Sequence, residues 1–161
     1  MRILRSIGLL LVAAVGLLVI VALGARFNDG PVGPFPGGPL QAGLLEENPV
    51  SDWSFATDEE TIELQLLSQG SSRTVWILVR DGAAFVPCSL SFPPAKNWYL
   101  RAVEDGRAAL RMQGRRYSVT LGRVEDAELA AALGDVVRGK YGVEPPGEGG
   151  TWYFHVTSRA P

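Results

Sequence analysis

The sequence predicts a mainly β domain with two helices, an α+β fold whose six short strands form an antiparallel barrel, preceded by one transmembrane helix. Three observations predict it. A long, uncharged apolar run lies near the N-terminus. Six short alternating or β-branched runs, separated by turn signals, follow from Thr61 onward, and two stretches between them carry helical patterning instead. Six or more short strands joined by tight turns favour a barrel over an open sheet.

The apolar run, Ile7 to Gly24, reads IGLLLVAAVGLLVIVALG and contains neither charge nor proline. As a helix it extends ~27 Å at ~1.5 Å per residue, close to the ~30 Å hydrocarbon core of a bilayer. It has no polar face, which a helix on the surface of a soluble protein needs. Arg2, Arg5 and the terminal amine precede the run, while Arg26 and then Asp29 follow it. The positive-inside bias therefore predicts a cytoplasmic N-terminus and a periplasmic or extracellular domain. A cleaved signal peptide is the alternative. Ala22-Leu23-Gly24 offers a small-x-small site, and cleavage there would release a secreted protein. The run exceeds the ~7–15 apolar residues usual in signal peptides, which favours an anchor. No cysteine lies near its end, so a lipoprotein is excluded.

The chain thus divides into an anchor over residues 1–25, a Gly/Pro-rich linker or arm over 26–50, and the folded domain over 51–161. Four prolines between Pro31 and Pro39 exclude a regular helix or central strand in the arm. Such a segment serves as a spacer. Phe35, Leu40, Leu44 and Leu45 make it more apolar than a spacer needs, so part of it is expected to pack on the domain.

The first strand is expected over Thr61–Ser68, where Ile62, Leu64 and Leu66 share a face opposite Glu63 and Gln65. Arg73–Arg80, RTVWILVR, is the second. Asp81-Gly82 then links it to Ala83–Cys88 as a two-residue hairpin, because both turn positions need positive φ. Pro93-Pro94 opens a short helix, with a glycine cap at Gly106. Arg107–Met112 and Arg115–Arg123 form a second hairpin through Gln113-Gly114. Glu125–Lys140 is an amphipathic helix with Leu129, Leu133, Val136, Val137 and Tyr141 on one stripe. After the loop Glu144–Gly150, Thr151–Ser158 is the last strand.

Composition excludes several chemistries. The net charge is −2, with no basic stretch interleaved with aromatics, so nucleic acid is not a partner. Cys88 is the single cysteine and His155 the single histidine. No intramolecular disulfide can form, and neither CxxC nor a carboxylate cluster offers metal-ligand spacing, so no metal site is expected. Cys88 reads first as a small buried hydrophobe. No G-x-S-x-G elbow or Walker loop occurs.

The element order β-β-β-α-β-β-α-β resembles the flavin-binding split barrel of the pyridoxamine-phosphate-oxidase-like and deazaflavin-dependent reductase superfamily. The words DWSFATD at Asp52–Asp58, RDGAAFVP at Arg80–Pro87, KNW at Lys96–Trp98 and DGRAALRMQGRRY at Asp105–Tyr117 look like a bacterial branch of it. The resemblance implies a six-stranded antiparallel split barrel, a homodimer and a cofactor such as FMN or a deazaflavin. It implies that Lys96 at the start of the short helix, Arg101 in that helix, and Arg73 and Arg80 on the hairpin hold the cofactor phosphate. Trp76 and Trp98 would flank its ring. A phosphate needs such guanidinium forks, a lysine or helix N-terminal amides. The sequence departs from the family in lacking a compact R-x-V/L-x-x-K motif on the hairpin strand, and PCSLSFP at Pro87–Pro93 replaces a Ser/Thr-rich turn.

Each of these residues also has an ordinary reading: Lys96 as a solvated helix residue, Arg73 and Arg80 as edge-strand charges, and the tryptophans as core aromatics. Two functions follow. One is a tethered oxidoreductase binding a flavin-type cofactor and reducing a small acceptor. The other is a non-catalytic exported ligand-binding or scaffold domain of the same fold.

Overall fold

A computed structural model describes residues 2–94, 96–147 and 149–161, with side chains from residue 6 onward. Met1, the side chains of Arg2 and Arg5, Ala95 of the expected short helix and Glu148 of the 144–150 loop lie outside the described residues. Helix α1, Arg2–Ala25, leads the chain. Its segment Ser6–Ala25 is long and apolar enough to cross a membrane, and all of it but Ala25 stands clear of the rest of the chain.

Eight strands follow: β1 Leu44–Leu45, β2 Thr61–Leu66, β3 Ser72–Trp76, β4 Leu78–Arg80, β5 Ala83–Ser89, β6 Arg107–Met112, β7 Arg115–Arg123 and β8 Thr151–Ser158. Helix α2, Trp98–Glu104, separates β5 from β6, and α3, Ala127–Tyr141, separates β7 from β8. The sheet runs β3-β2-β6-β7-β8-β5-β4, antiparallel throughout, with β1 added in parallel on β7. It is a curled half-barrel, compatible with a split barrel, but two strands richer than the sequence predicts. One extra strand is β1. The other arises because the expected strand Arg73–Arg80 is broken at Ile77: its first half pairs with β2 and its second with β5. A single segment therefore supplies both ends of the sheet, and the curl brings the two ends together at Ile77.

Alternation does the rest. Leu64, Leu66, Ala84, Val86, Ala108, Leu110, Val119, Phe154 and Val156 point to the concave side and form one core, which Trp98 and Ala102 of α2 cover. On the convex side α3 packs Leu133 and Val137 against Leu78, Phe85 and Tyr153, a second, smaller core. Local chemistry sets the turns. Asp81 and Gly82 take φ of 51° and 76°, and Gln113 and Gly114 take 49° and 72°, the paired positive values of a type I′ hairpin. Asp126 caps α3 by accepting the Glu128 and Leu129 N–H groups, and Gly142 ends it at φ 63°. The short helix departs from expectation. Its prolines precede rather than enter it, and it ends on extended Asp105 instead of a glycine cap. Gly106 is required for a different reason: the Leu121 backbone lies so close that a Cβ would collide with it.

The Gly/Pro-rich segment is ordered as a strap across the convex face. Gly37 exchanges two hydrogen bonds with Ser72 on the free edge of β3, and β1 fills the free edge of β7 beside Arg115 and Arg116. The strap thus covers the start of the β3 edge and the stretch of β7 that β8 leaves unpaired, where open backbone could otherwise recruit another chain. Leu40 is buried, whereas Leu44 and Leu45 remain exposed. Arg111 clamps the strap, pairing with Glu63 of β2 and with Asp29 at 2.9 Å. The Asp29 carboxylate also accepts from the Gln41 and Ala42 N–H groups at 2.7 and 2.9 Å. These contacts, the Gln41 N–H foremost, hold its pKa below the ordinary 3.8.

Asp29 therefore contributes clamp stability above its ordinary pKa, and that contribution fades as pH falls below 3.8 through the depressed value. Arg111→Ala is expected to raise proteolytic cleavage within residues 26–50 at least ~5-fold at neutral pH, the opening that ~1 kcal/mol of lost local stability gives. In the wild type the same cleavage, with an acid-active protease, is expected to rise as pH is taken below that range. Asp29→Asn should lose most of that pH dependence, and an Arg111→Ala strap cut no faster than wild type would show that the clamp does not hold it.

Candidate functional site

The half-barrel has a mouth where β2 and β5 end and β3 begins, and α2 plugs it. Period-2 alternation sends Arg73 and Val75 of β3 inward and Thr74 and Trp76 outward. The Arg73 guanidinium carbon consequently lies 5.6 Å from the Trp98 ring centroid, inside the mouth. Trp98 is buried and packs on Phe154 at 5.5 Å. Cys88 of β5, also buried, faces the same space. Burial pushes its thiol up to about 11, and the neighbouring charges of Lys96 and Arg73 offset this only in part. At neutral pH the sulfur is a protonated, unreactive thiol.

Arg73 is the unusual member. Its Nη2 donates to the Gln69 side-chain oxygen at 2.7 Å, but its Nε, fully buried, has no hydrogen-bond acceptor. Among the described residues no carboxylate pairs with it, and burial lowers its pKa. A guanidinium remains protonated all the same. Withdrawing a charge from water without a counter-ion costs several kcal/mol, so this position carries an uncompensated cation next to an aromatic platform. Lys96, just ahead of α2, donates to the Phe92 and Pro93 carbonyls. It braces the loop over the mouth and retains one further N–H.

Of the six residues singled out in the sequence, Arg73, Lys96 and Trp98 come together. The others do not. Arg101 is exposed and paired with Glu104 at 2.9 Å, and Arg80 is exposed and paired with Asp81 at 3.3 Å. Trp76 points outward and stacks on Tyr141, with centroids 4.2 Å apart and planes 7° apart. It is on the opposite face of the sheet from Trp98, so the two cannot sandwich one ring.

Beside the mouth, a groove of ≈ 470 Å³ opens between α3, the start of β8 and residues 144–147 and 149. That volume falls within the ~300–1,000 Å³ of small-molecule sites. Arg123 lies 3.7 Å over the Trp152 ring at its floor, and Trp152 meets Tyr99 of α2 edge-on. Ala130 and Gly134 keep the helix wall low, while Arg138 at the rim is already paired with Asp135 and Glu144. Sequence reading missed Arg123 and Trp152 because pairing of β7 with β8 across a 15-residue helix brings them together. Only the position of both at strand ends hints at it.

The chain matches no known protein-family model, and no curated protein matches it in sequence. The split-barrel resemblance therefore rests on architecture, and the chemistry has to be argued from the mouth itself.

Proposed function

We propose that the protein is a membrane-anchored, exported domain of split-barrel type that binds a small anionic ligand at the mouth of its half-barrel, with Arg73 as the pairing charge. The observation that carries this reading is the half-buried guanidinium whose Nε–H is buried without an acceptor, with no carboxylate partner among the described residues. An entering carboxylate or phosphate would accept from Nε, offset the charge and pair with the guanidinium fork. Trp98 supplies an adjoining aromatic surface, and the remaining Lys96 N–H a second cationic donor.

Binding is favoured over catalysis by the chain's own side chains. Cys88 is held as a thiol, and His155 is exposed on the convex side, against Phe85. No nucleophile–base pair is assembled among the described residues of the mouth. Redox chemistry would belong to a bound cofactor. A flavin-type cofactor, FMN or a deazaflavin, is the phosphate-bearing ligand that the resemblance implies, and Arg73, Lys96 and Trp98 support it. Trp76, Arg80 and Arg101 lend it nothing.

The test is purification from the native host in mild detergent, followed by a visible spectrum and mass analysis of small molecules released on denaturation. A stoichiometric anionic compound is expected. A flavin chromophore would make the domain a redox protein, and a colourless carboxylate or phosphate ester would make it a binding module. A protein that releases nothing and binds neither added phosphate nor flavin would end the proposal.

A further inference from the structure

We propose that the strap is a second membrane contact: Phe27, Leu44 and Leu45 lie in the interfacial layer of the bilayer, so the half-barrel sits with its strap-bearing convex face toward the lipid. This rests on the reading of α1 as a membrane anchor.

The first support is the absence of slack between helix and sheet. Ala25, the last residue of α1, is buried. Phe27 and Asn28 donate back to the Gly24 and Ala25 carbonyls at 3.0 Å each. The Asn28 carbonyl then accepts from Gly38 at 2.9 Å, and Asp29 is clamped by Arg111. No residue between the span and the sheet is free to act as a flexible tether, so the end of α1 fixes how the domain stands on the bilayer.

The second is proximity. Residues 30–40 loop out and return, because the Asp29 carboxylate holds the Gln41 and Ala42 N–H groups. Phe27 is two residues before this pin and Leu44 two residues after it. At ~3.5 Å per residue, and allowing for the side-chain bridge, Phe27 and Leu44 are at most ~20 Å apart. Leu44 cannot be carried to the far side of the domain.

The third is the character of the surface. Phe27 is 93% exposed, Leu44 71% and Leu45 44%. Single exposed apolar residues are commonplace, but these belong to one strap that starts at the end of an apolar span. An aromatic just beyond such a span suits the interfacial belt. The charged groups on the β7 side of the strap are paired, while Arg26 and Glu47 stay exposed at its two ends. Arg115 pairs with Glu46 at 2.8 Å, and Arg116 donates to the Leu40 and Gly43 carbonyls at 3.2 Å. Lipid contact there strips water from few unpaired charges.

The experiment uses the full-length chain in liposomes containing nitroxide-labelled lipids, with an environment-sensitive fluorophore on single introduced cysteines. Native Cys88, buried and protonated, stays unlabelled at neutral pH. The sites are Val15→Cys in the span, Phe27→Cys and Leu44→Cys on the strap, and Val103→Cys on α2. Expected is strong quenching at Val15, and at Phe27 and Leu44 at least twice the quenching at Val103. Quenching at Val15 with Leu44 no more quenched than Val103 would overturn the strap contact and leave the anchor standing. No quenching at Val15 would overturn the anchor itself. A blue-shifted but unquenched label at Leu44 would mean that protein, such as a second copy, covers the strap, and would equally overturn the lipid contact.

Discussion

Arg73→Met is expected to make the ligand-free protein more stable by about 1–4 kcal/mol while abolishing anion binding. The sign is the informative part. Most substitutions of a half-buried residue destabilise, but here the native side chain carries a charge that no carboxylate among the described residues neutralises. Replacing a buried ion pair by apolar groups of similar volume is often neutral or stabilising by that amount, and a charge without a counter-ion has no pairing energy to lose. Methionine preserves the packing of the arginine stem beside Val75 and Trp98 and removes only the charge and its donors. The Gln69 oxygen that loses Nη2 lies at the turn before β3, within reach of water. Chemical denaturation of wild type and variant, each freed of ligand, measures the difference. Adding the ligand should narrow or reverse the gap, because only the wild type gains binding free energy. If Arg73→Met is destabilised with or without anions, Arg73 is a structural residue.

Tyr141→Phe is expected to cost about 1–3 kcal/mol in the same assay, although it deletes one oxygen and leaves the stack on Trp76 intact. The reason lies at the break in the sheet. Ile77 is fully buried between β3 and β4, where neither neighbouring strand satisfies its backbone. The Tyr141 hydroxyl accepts from the Ile77 N–H at 3.2 Å and lies 2.8 Å from its carbonyl and 2.6 Å from that of Glu60. Lys140 donates to the Ile77 carbonyl as well, at 3.0 Å. Burial pushes the Tyr141 hydroxyl up to about 12, so it remains a donor throughout the physiological range. Without it the Ile77 N–H is left buried and unpaired, which costs ~1–3 kcal/mol. Lys140→Met is expected to add to this less than its separate cost, since both groups serve one carbonyl. An unchanged Tyr141→Phe would show that water takes over the vacated position.

The two hairpin turns, the amphipathic stripe of α3 and the inward face of β2 were legible in the sequence because they depend on neighbours in the chain. Asp81-Gly82 reads as a type I′ turn wherever it stands between strands, whereas the cap at Asp126 was not read, the helix being expected from Glu125. The break at Ile77 was not legible. RTVWILVR is a continuous β-branched and aromatic run with no glycine or proline to interrupt it. The interruption comes from curling the sheet until one segment serves both ends, and Tyr141, 64 residues away in the chain, supplies the backbone partner. The strap was half legible. Its prolines excluded a regular helix or central strand and Leu40 announced packing, whereas Leu44 and Leu45 stay exposed and nothing local connects Asp29 to Arg111.

The candidate site divides along the same line. Period-2 alternation from Val75 places Arg73 on the inner face, which an edge-strand charge would not occupy. Whether an inward arginine has a carboxylate to meet depends on seven other strands. The same alternation carries Trp76 outward, but Trp98 starts a helix, so its separation from Trp76 appears only in the fold. Lys96 was legible only through the resemblance, and its tie to the Phe92 and Pro93 carbonyls gives it a bracing role that the word KNW does not reveal.

The most direct measurement is equilibrium dialysis of the full-length protein in detergent, freed of ligand, against radiolabelled inorganic phosphate at constant ionic strength, with Arg73→Met alongside. Saturable binding approaching one phosphate per chain in the wild type, and none in the variant, is the expected result. Equal uptake by the two proteins, or none by either, would contradict an anion site at Arg73.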